Sequence, residues 1–203
     1  MAAGQGIECD VQLTRDGEAV VFHDYDLGRL TGEQGAVVDR TLAELRRIGL
    51  NGQGETIPSL AEVLQLVAGR APLLIEIKAK RPSAPLCAAV LRALDSYSGP
   101  AAAMSFNPEA GGWFGRHARH VLRGLVVTEH DKRSLRGRIE RSLALWRTRP
   151  DFLAYDIRDL PSRFASAQRA RGLPVISWTV RSRRDEEVAS AHADQIIHEL
   201  PRP

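Results

Sequence analysis

The sequence has few of the residues that would indicate a disulfide-stabilised, zinc-binding or membrane-spanning protein. Its 203 residues include two cysteines, Cys9 and Cys87, which are too few and too far apart for a disulfide framework or a zinc site. Both are predicted to be buried. No apolar run approaches the roughly 20 residues that cross a bilayer, and residues 1–5 lack the basic segment of a signal peptide. The sequence therefore predicts a cytoplasmic protein with no stable membrane insertion.

Lysine is also scarce, although the formal net charge is +3 and arginine becomes more frequent in the second half of the chain. Lysine occurs only at positions 78, 80 and 132, so a lysine near a strand end stands out. The arginines of residues 133–149 are mixed with an acid, Glu140, and have a single aromatic residue, Trp146, among them, which favours a solvated helical face and no nucleic-acid partner. These arginines are Arg133, Arg136, Arg138, Arg141, Arg147 and Arg149. The sequence leaves the oligomeric state open.

No linker or low-complexity segment divides the chain, so residues 1–203 are predicted to form a single domain. Two helices have N-terminal capping signals, at Thr41 with Glu44 and at Ser59, and the first should end near Gly49. The glycine-bearing stretch 27–32 is predicted to be a loop. Later helices are predicted over 84–94, 108–117, 133–147, 161–171 and 185–191. The strands are predicted over 6–11, 72–78, 101–105, 121–127, 152–155, 174–179 and 195–197, with a hairpin return strand near 19–24.

Strands that alternate with helices predict an α/β fold with a parallel sheet and right-handed crossovers. The predicted fold class is a TIM-type (β/α)8 barrel with a hairpin extension after the first strand present. Complete barrels of this type run to about 250 residues. The seven strands counted without the return strand therefore suggest a barrel that is incomplete by its first strand-helix unit.

The predicted hairpin carries two acids and a histidine that strand formation does not explain. A two-residue turn at Asp16-Gly17 would place Asp10 opposite His23. Because side chains alternate along a strand, Glu8 would share the face of Asp10. The sequence therefore predicts that Glu8, Asp10 and His23 converge, unless a bulge shifts the register by one residue.

A second pair of charged residues, Glu76 and Lys78, follows the same alternation on the apolar strand 72–78. Three carboxylates at one point repel one another unless a cation lies among them, and oxygen ligands suit Mg²⁺ or Ca²⁺ first, with Mn²⁺ next. A fixed positive charge on Lys78 beside a metal is typical of a phosphate site. His23 is the residue of the hairpin suited to proton transfer near neutral pH.

These residues lie in ordered motifs that closely resemble the glycerophosphodiester phosphodiesterase family over nearly the whole chain. The motifs are Ile-Glu-Cys-Asp-Val-Gln-Leu-Thr-Arg-Asp-Gly at 7–17, Val-Phe-His-Asp at 21–24, Leu-Gly-Arg-Leu-Thr at 27–31, Ile-Pro-Ser-Leu at 57–60, Ile-Glu-Ile-Lys at 75–78 and Ser-Trp-Thr-Val at 177–180. The resemblance implies a (β/α)8 barrel that hydrolyses glycerophosphodiesters, which are small-molecule substrates, to glycerol 3-phosphate and an alcohol with one divalent cation.

The resemblance also implies a role for each matching residue. Glu8, Asp10 and Glu76 would bind the metal, His23 would be one of two catalytic histidines, and Lys78 would contact phosphate. By the same resemblance, Phe106 and Trp178 would line the substrate pocket. Family members open with a His-Arg-Gly strand that has no counterpart before Gly6. We therefore expect either a late start relative to the functional protein or a degraded relative.

Two alternatives follow from this departure and from the chemistry. The chain could be a catalytically impaired, truncated or pseudoenzyme barrel that binds metal and phosphate. Alternatively, it could catalyse a lyase-type cleavage that gives a cyclic phosphate. His198 follows the last predicted strand and is a candidate to replace the missing imidazole, although a surface histidine is the ordinary interpretation at this position.

Overall fold

A computed structural model describes residues 5–51 and 54–199 of the chain. The described residues form two compact units, one that ends at Ala103 and one that begins at Met104, and each unit is described by itself below. The interpretation of residues 1–203 as one domain stays a prediction. Within the described ranges, no helix is both long and apolar enough to cross a membrane.

The first unit contains a sheet with the strand order β2-β1-β3 and helices α1 to α4. The strand β1 pairs antiparallel with β2 and parallel with β3, which makes β1 the central strand of the three. The elements are β1 (Ile7–Leu13), β2 (Ala19–Val21), α1 (Gly28–Thr31), α2 (Leu42–Leu45), α3 (Leu60–Val67), β3 (Leu73–Ile77) and α4 (Ala84–Leu94), with a 3-10 turn at Val37–Asp39.

The predicted helix starts are confirmed. Thr41 with Glu44 opens α2, and Ser59 with Glu62 opens α3, each through a reciprocal capping box that satisfies exposed backbone N–H groups. The strand β1 extends two residues further than predicted, β2 ends three residues earlier, and two helical segments also differ from the prediction. The helix α2 ends at Leu45 rather than near Gly49, and the stretch predicted as a loop forms the short helix α1, which ends where Gly32 takes a left-handed conformation with φ of 77°.

The hairpin turn differs from the predicted two-residue turn. The observed partners are Val11 with Val21 and Leu13 with Ala19, which leaves a three-residue loop, 15–17, beyond the bond from Thr14 N to Glu18 O. Gly17 has a φ of 83°, the conformation expected at the third loop residue of this turn. The pairing is therefore shifted by one residue, and the prediction that Asp10 faces His23 is wrong. The backbone N–H of Phe22 donates instead to Asp10 O, at 2.9 Å.

The second unit continues the alternation of strands and helices. Its sheet contains four strands in the order β5-β6-β7-β8. Each of these strands pairs parallel with the next one. The strand β4 (Ala101–Ser105) contains the division between the units. The other elements are α5 (Pro108–His117), β5 (Leu122–Val127), α6 (Leu135–Thr148), β6 (Phe152–Asp156), α7 (Arg163–Arg169), β7 (Val175–Val180), α8 (Arg183–His192) and β8 (Gln195–His198), with a 3-10 turn at Ile157–Asp159. Each predicted strand and helix of this unit is present, with ends within about two residues of the prediction.

Burial confirms one prediction about individual residues and corrects another. Cys9 and Cys87 are buried and unpaired, as predicted. Arg141 is buried, contrary to the prediction that it belongs to a solvated helical face. Its Nη2 lies 3.3 Å from Glu129 Oε2, and its Nη1 donates to Lys132 O at 2.8 Å. The charge of this buried guanidinium and its two Nη groups have partners, whereas its buried Nε donates no hydrogen bond.

Candidate metal centre and active site

The parallel pairing of β1 with β3 brings three carboxylates together in the first unit. Asp10 is the register partner of Glu76, and Glu8 lies two positions earlier on the same face of β1. Carboxylate oxygens of the three residues all lie within 4.8 Å of one another. The convergence predicted for Glu8, Asp10 and Glu76 is therefore present in the structure.

Burial and mutual repulsion disfavour the charged forms of two of these acids. Burial raises the pKa of Glu8 to about 8, and the neighbouring Asp10 and Glu76 carboxylates add to the effect. Burial also raises the pKa of Glu76, although the charge of Lys78 opposes that shift. The cluster therefore holds more negative charge than its surroundings stabilise when no further cation is present.

Lys78 supplies part of the missing positive charge. It follows β3 directly, and its Nζ lies 3.2 Å from Asp10 Oδ1 and 2.9 Å from Glu76 Oε1. Burial acts to lower the pKa of Lys78, but the Glu76 and Asp10 carboxylates outweigh it, so this pKa is raised and the ammonium group stays charged at neutral pH. The predicted placement of Lys78 beside the acids is confirmed.

The donor set fits a hard divalent cation. It consists of carboxylate oxygens only, which Mg²⁺, Ca²⁺ and Mn²⁺ prefer over softer metals. Glu76 Oε1 is buried and forms an ion pair with Lys78 Nζ at 2.9 Å, but it has no partner that meets hydrogen-bond geometry. A buried oxygen with free lone pairs, in a cluster short of positive charge, is what a metal ligand requires.

His23 lies two residues beyond the end of β2 and is held by a hydrogen-bond relay that runs from Arg29 through Asp24 to the imidazole. Its Nδ1 lies 2.6 Å from Asp24 Oδ1, and Asp24 also accepts from Arg29 Nε at 2.5 Å and Nη2 at 2.7 Å. The hydrogen bonds from Arg29 lower the pKa of Asp24 to about 2, so its carboxylate is ionised at neutral pH and can only accept. His23 Nδ1 therefore carries the donated hydrogen, which leaves Nε2 for proton transfer.

Sequence reasoning missed two residues that position this loop. Gln12 is buried, and its Nε2 donates to Phe22 O at 3.1 Å and to Asp24 O, which fixes the backbone on both sides of His23. Arg29 fixes the Asp24 carboxylate. Both residues could have been found from the sequence. Gln12 lies two positions after Asp10 and so on the same strand face as Glu8 and Asp10, and Arg29 lies in the motif at 27–31.

The second unit holds the two aromatic residues that the family resemblance selects. The rings of Phe106 and Trp178 meet edge to face, with centroids 5.5 Å apart and an angle of 86° between planes. Trp178 Nε1 donates to Ala154 O at 2.9 Å, which fixes the indole. Phe106 is 45% exposed. His198, at the end of β8, is exposed.

Comparison of structures defines the fold class. The chain is similar to a phosphodiesterase from Oleispira antarctica, solved in complex with the product sn-glycerol-3-phosphate, with a TM-score of 0.83 and 24% identity over 96% of this chain and 81% of that chain. The predicted α/β fold of the TIM-barrel class is thereby confirmed.

Comparison of sequences then gives the family. The model of the glycerophosphoryl diester phosphodiesterase family matches residues 1–199, and the chain belongs to this family. It is 42% identical over 85 residues to a glycerophosphodiester phosphodiesterase from Bacillus altitudinis, which is 39% of this chain and 35% of that protein. It is 45% identical over 80 residues to one from Caldanaerobacter subterraneus, which is 36% of this chain and 33% of that protein. These matches thus span about a third of the length of each relative.

Proposed function

We propose that the protein hydrolyses glycerophosphodiesters to glycerol 3-phosphate and an alcohol in a reaction that requires a divalent cation. The observation that carries the proposal is the convergence of Glu8, Asp10 and Glu76 around a charged Lys78. A cluster of hard oxygen ligands beside a fixed ammonium group is suited to an anionic phosphodiester. Family membership and the names of the relatives support the same reaction.

Glu8, Asp10 and Glu76 would hold one Mg²⁺ or Ca²⁺ ion, with Mn²⁺ as a further candidate. When bound, such an ion supplies positive charge that neutralises phosphate oxygens and acidifies a hydroxyl nucleophile. Lys78 contributes a second positive charge for the phosphate group and for the charge that develops on it in the transition state. Its contacts with Asp10 and Glu76 hold the ammonium group beside the carboxylates that are proposed to bind the metal.

His23 is proposed to move a proton through Nε2. Asp24 accepts the hydrogen of Nδ1 and so holds the imidazole in the tautomer that exposes a lone pair on Nε2. Arg29 keeps Asp24 ionised, and Gln12 holds the backbone of the loop. The residues that surround His23 therefore prepare it as a general base or acid.

Phe106 and Trp178 are proposed to contact the substrate, because the edge-to-face pair offers an apolar surface with a fixed indole. The proposed substrates are small-molecule glycerophosphodiesters, and the proposed place of action is the cytoplasm. The family resemblance and the aromatic pair support the proposed substrate class. The proposal that the protein acts in the cytoplasm rests on the sequence alone.

The test is an assay of the 203-residue chain with a glycerophosphodiester, with and without added Mg²⁺, Ca²⁺ or Mn²⁺, followed by phosphorus NMR. The expected result is metal-dependent formation of glycerol 3-phosphate that is lost in Glu76→Gln. The control variant Glu33→Gln replaces an exposed acid of the same unit and should keep full activity. A persistent cyclic phosphate would instead identify a lyase. Absence of turnover with every metal would contradict the proposal and favour a non-catalytic protein that binds metal or phosphate.

A further inference from the structure

The helix α6 has an apolar stripe that faces solvent. Its members are exposed by 71% at Leu135, 52% at Ile139, 51% at Leu143 and 67% at Trp146. The spacing of four, four and three residues places them on one side of the helix, within an arc of roughly 80°. Single exposed apolar side chains are ordinary on a protein surface, whereas a continuous stripe marks an interaction site.

The stripe is not the side of α6 that packs on its own unit. The buried residues of the helix are Gly137, Arg141 and Thr148, and Ala144 and Leu145 contact the core of the unit. At the helical repeat, these positions lie about 120° to 180° from the centre of the stripe. Packing of the unit therefore does not account for Leu135, Ile139, Leu143 and Trp146.

Basic side chains flank the stripe on both sides. Arg136 and Arg147 lie beyond one edge and Arg138 beyond the other, and all three are exposed. Segment 132–149 carries seven lysine and arginine residues and one acid, Glu140. Glu140 accepts from Arg136 Nε at 2.9 Å, and Arg141 is engaged inside the unit, so the surface beside the stripe keeps a clear positive excess.

A hollow of about 930 Å³ adjoins the Trp146 end of the stripe. Five arginines and the tryptophan line it: Arg116, Arg119, Arg123, Arg147, Arg149 and Trp146. Two acids, Glu109 and Asp151, also face it, and Asp151 accepts from the backbone N–H of Arg123 at 2.9 Å. The net positive charge of this hollow suits phosphate groups, for which arginine is the preferred side chain.

We propose that the α6 face docks on the surface of a bilayer that contains anionic phospholipids. An apolar stripe that ends in tryptophan, with arginines along both edges, is the pattern of a helix that lies in the membrane interface. Charge complementarity decides between partners, because a second copy of the chain would bring two arginine-rich faces together. The proposal concerns peripheral binding, and it does not depend on the proposed catalytic function.

Flotation with vesicles tests the proposal. The intact chain should bind vesicles of phosphatidylcholine with phosphatidylglycerol at least about tenfold better than vesicles of phosphatidylcholine alone, and high salt should abolish the difference. Arg138→Gln with Arg147→Gln should weaken binding by about 10- to 30-fold. Ile139→Ser with Leu143→Ser should weaken it by a similar factor. Leu66→Ser, at an apolar side chain 72% exposed on α3, and Arg171→Gln, at an exposed arginine, are the matched controls and should bind like the intact chain.

Fluorescence of the intact chain provides a second measurement, which remains possible even if the double variants do not fold. The emission of Trp146, obtained as the difference from Trp146→Phe, should shift to shorter wavelength on anionic vesicles. Failure to bind anionic vesicles, or binding that both α6 double variants leave unchanged, would overturn the proposal. Dimer formation that the α6 variants abolish, without vesicle binding, would overturn it in favour of a second copy as the partner. Binding to an acidic polypeptide as strong as to vesicles, and insensitive to Ile139→Ser with Leu143→Ser, would overturn it in favour of a general polyanion surface.

Discussion

Asp10 and Glu76 are register partners on the neighbouring parallel strands β1 and β3, so their carboxylates leave the same face of the sheet side by side. Parallel pairing fixes this relationship through the backbone, and Glu8 joins it because it lies two residues before Asp10. The pair would be destabilising by itself, since like charges opposite each other on a sheet repel. Lys78 supplies one positive charge against three carboxylates, which makes metal binding the proposed reason for the pair.

Neutral isosteres at this pair should therefore remove metal binding. We expect Asp10→Asn and Glu76→Gln each to lower the affinity for Mg²⁺ or Ca²⁺ by more than about 100-fold, which exceeds the loss typical of groups that only support a ligand. Isothermal titration calorimetry measures the affinity, and circular dichroism checks the fold. Glu33→Gln should bind like the unaltered chain. Retention of binding in both Asp10→Asn and Glu76→Gln would show that the ion lies elsewhere.

The raised pKa of Glu8 predicts a pH dependence of stability in the metal-free chain. The folded state holds the proton up to about pH 8, while the unfolded state releases it near 4.5, so the folded state binds more protons between these values. The free energy of unfolding should therefore fall as pH rises from 4.5 to 8. Because Glu8 is only partly buried and water screens it, we expect a fall of about 1–3 kcal/mol.

Chemical denaturation in the presence of a chelator measures this dependence. Glu8→Gln cannot ionise, so the difference in unfolding free energy between Glu8→Gln and the unaltered chain should grow as pH rises towards 8. A difference that stays constant across this range would mean that the Glu8 carboxyl is not perturbed. Glu18→Gln, at an exposed acid of the same hairpin, serves as the control.

The carboxylate cluster could be predicted from sequence because it depends on regular repeats. Alternation along β1 and β3 fixes the faces of Glu8, Asp10 and Glu76 whatever the detailed turn geometry is. The hairpin register could not be predicted, because an Asp-Gly pair fits both a two-residue loop and a three-residue loop. Side-chain bonds favour the longer loop here: Thr14 Oγ1 accepts from Glu18 N at 2.9 Å and donates to Asp16 Oδ1 at 2.6 Å.

Arg141 shows a different limit of sequence reasoning. Its neighbours on α6 are charged, and the mixed charges predict a solvated face. Its burial depends on Glu129, twelve residues earlier, which pairs with the guanidinium from the loop after β5. The helical repeat by itself carries no information about a partner outside the helix, so tertiary contact overrides the local pattern.

The relay from Arg29 through Asp24 to His23 predicts a graded loss of activity. His23→Ala should lower kcat by about 10²- to 10⁴-fold through loss of proton transfer. In the proposed mechanism Asp24 positions the imidazole and does not touch the substrate, so Asp24→Asn should lower kcat by about 10²-fold with little change in KM. Steady-state kinetics separates kcat from KM, and Asp39→Asn, at an exposed acid, is the control. A change confined to KM would contradict the positioning role of Asp24.

The turn that sets the register of the hairpin makes a prediction at Gly17. The φ of 83° at Gly17 is costly for any residue with a Cβ, and an added Cβ would meet no atom within 4 Å, so the cost of Gly17→Ala lies in the backbone alone. We expect Gly17→Ala to lower the free energy of unfolding by about 1 kcal/mol.

Gly28→Ala is the matched control, because Gly28 opens α1, is not among the glycines with positive φ, and an added Cβ would lie 3.7 Å from Glu33 O, an ordinary contact. Gly28→Ala should leave stability unchanged or raise it by up to about 1 kcal/mol. Urea unfolding of the metal-free chain measures both. Equal effects of the two substitutions would contradict the left-handed conformation at Gly17. The three-residue loop that places Phe22, rather than His23, against Asp10 would then lose its support.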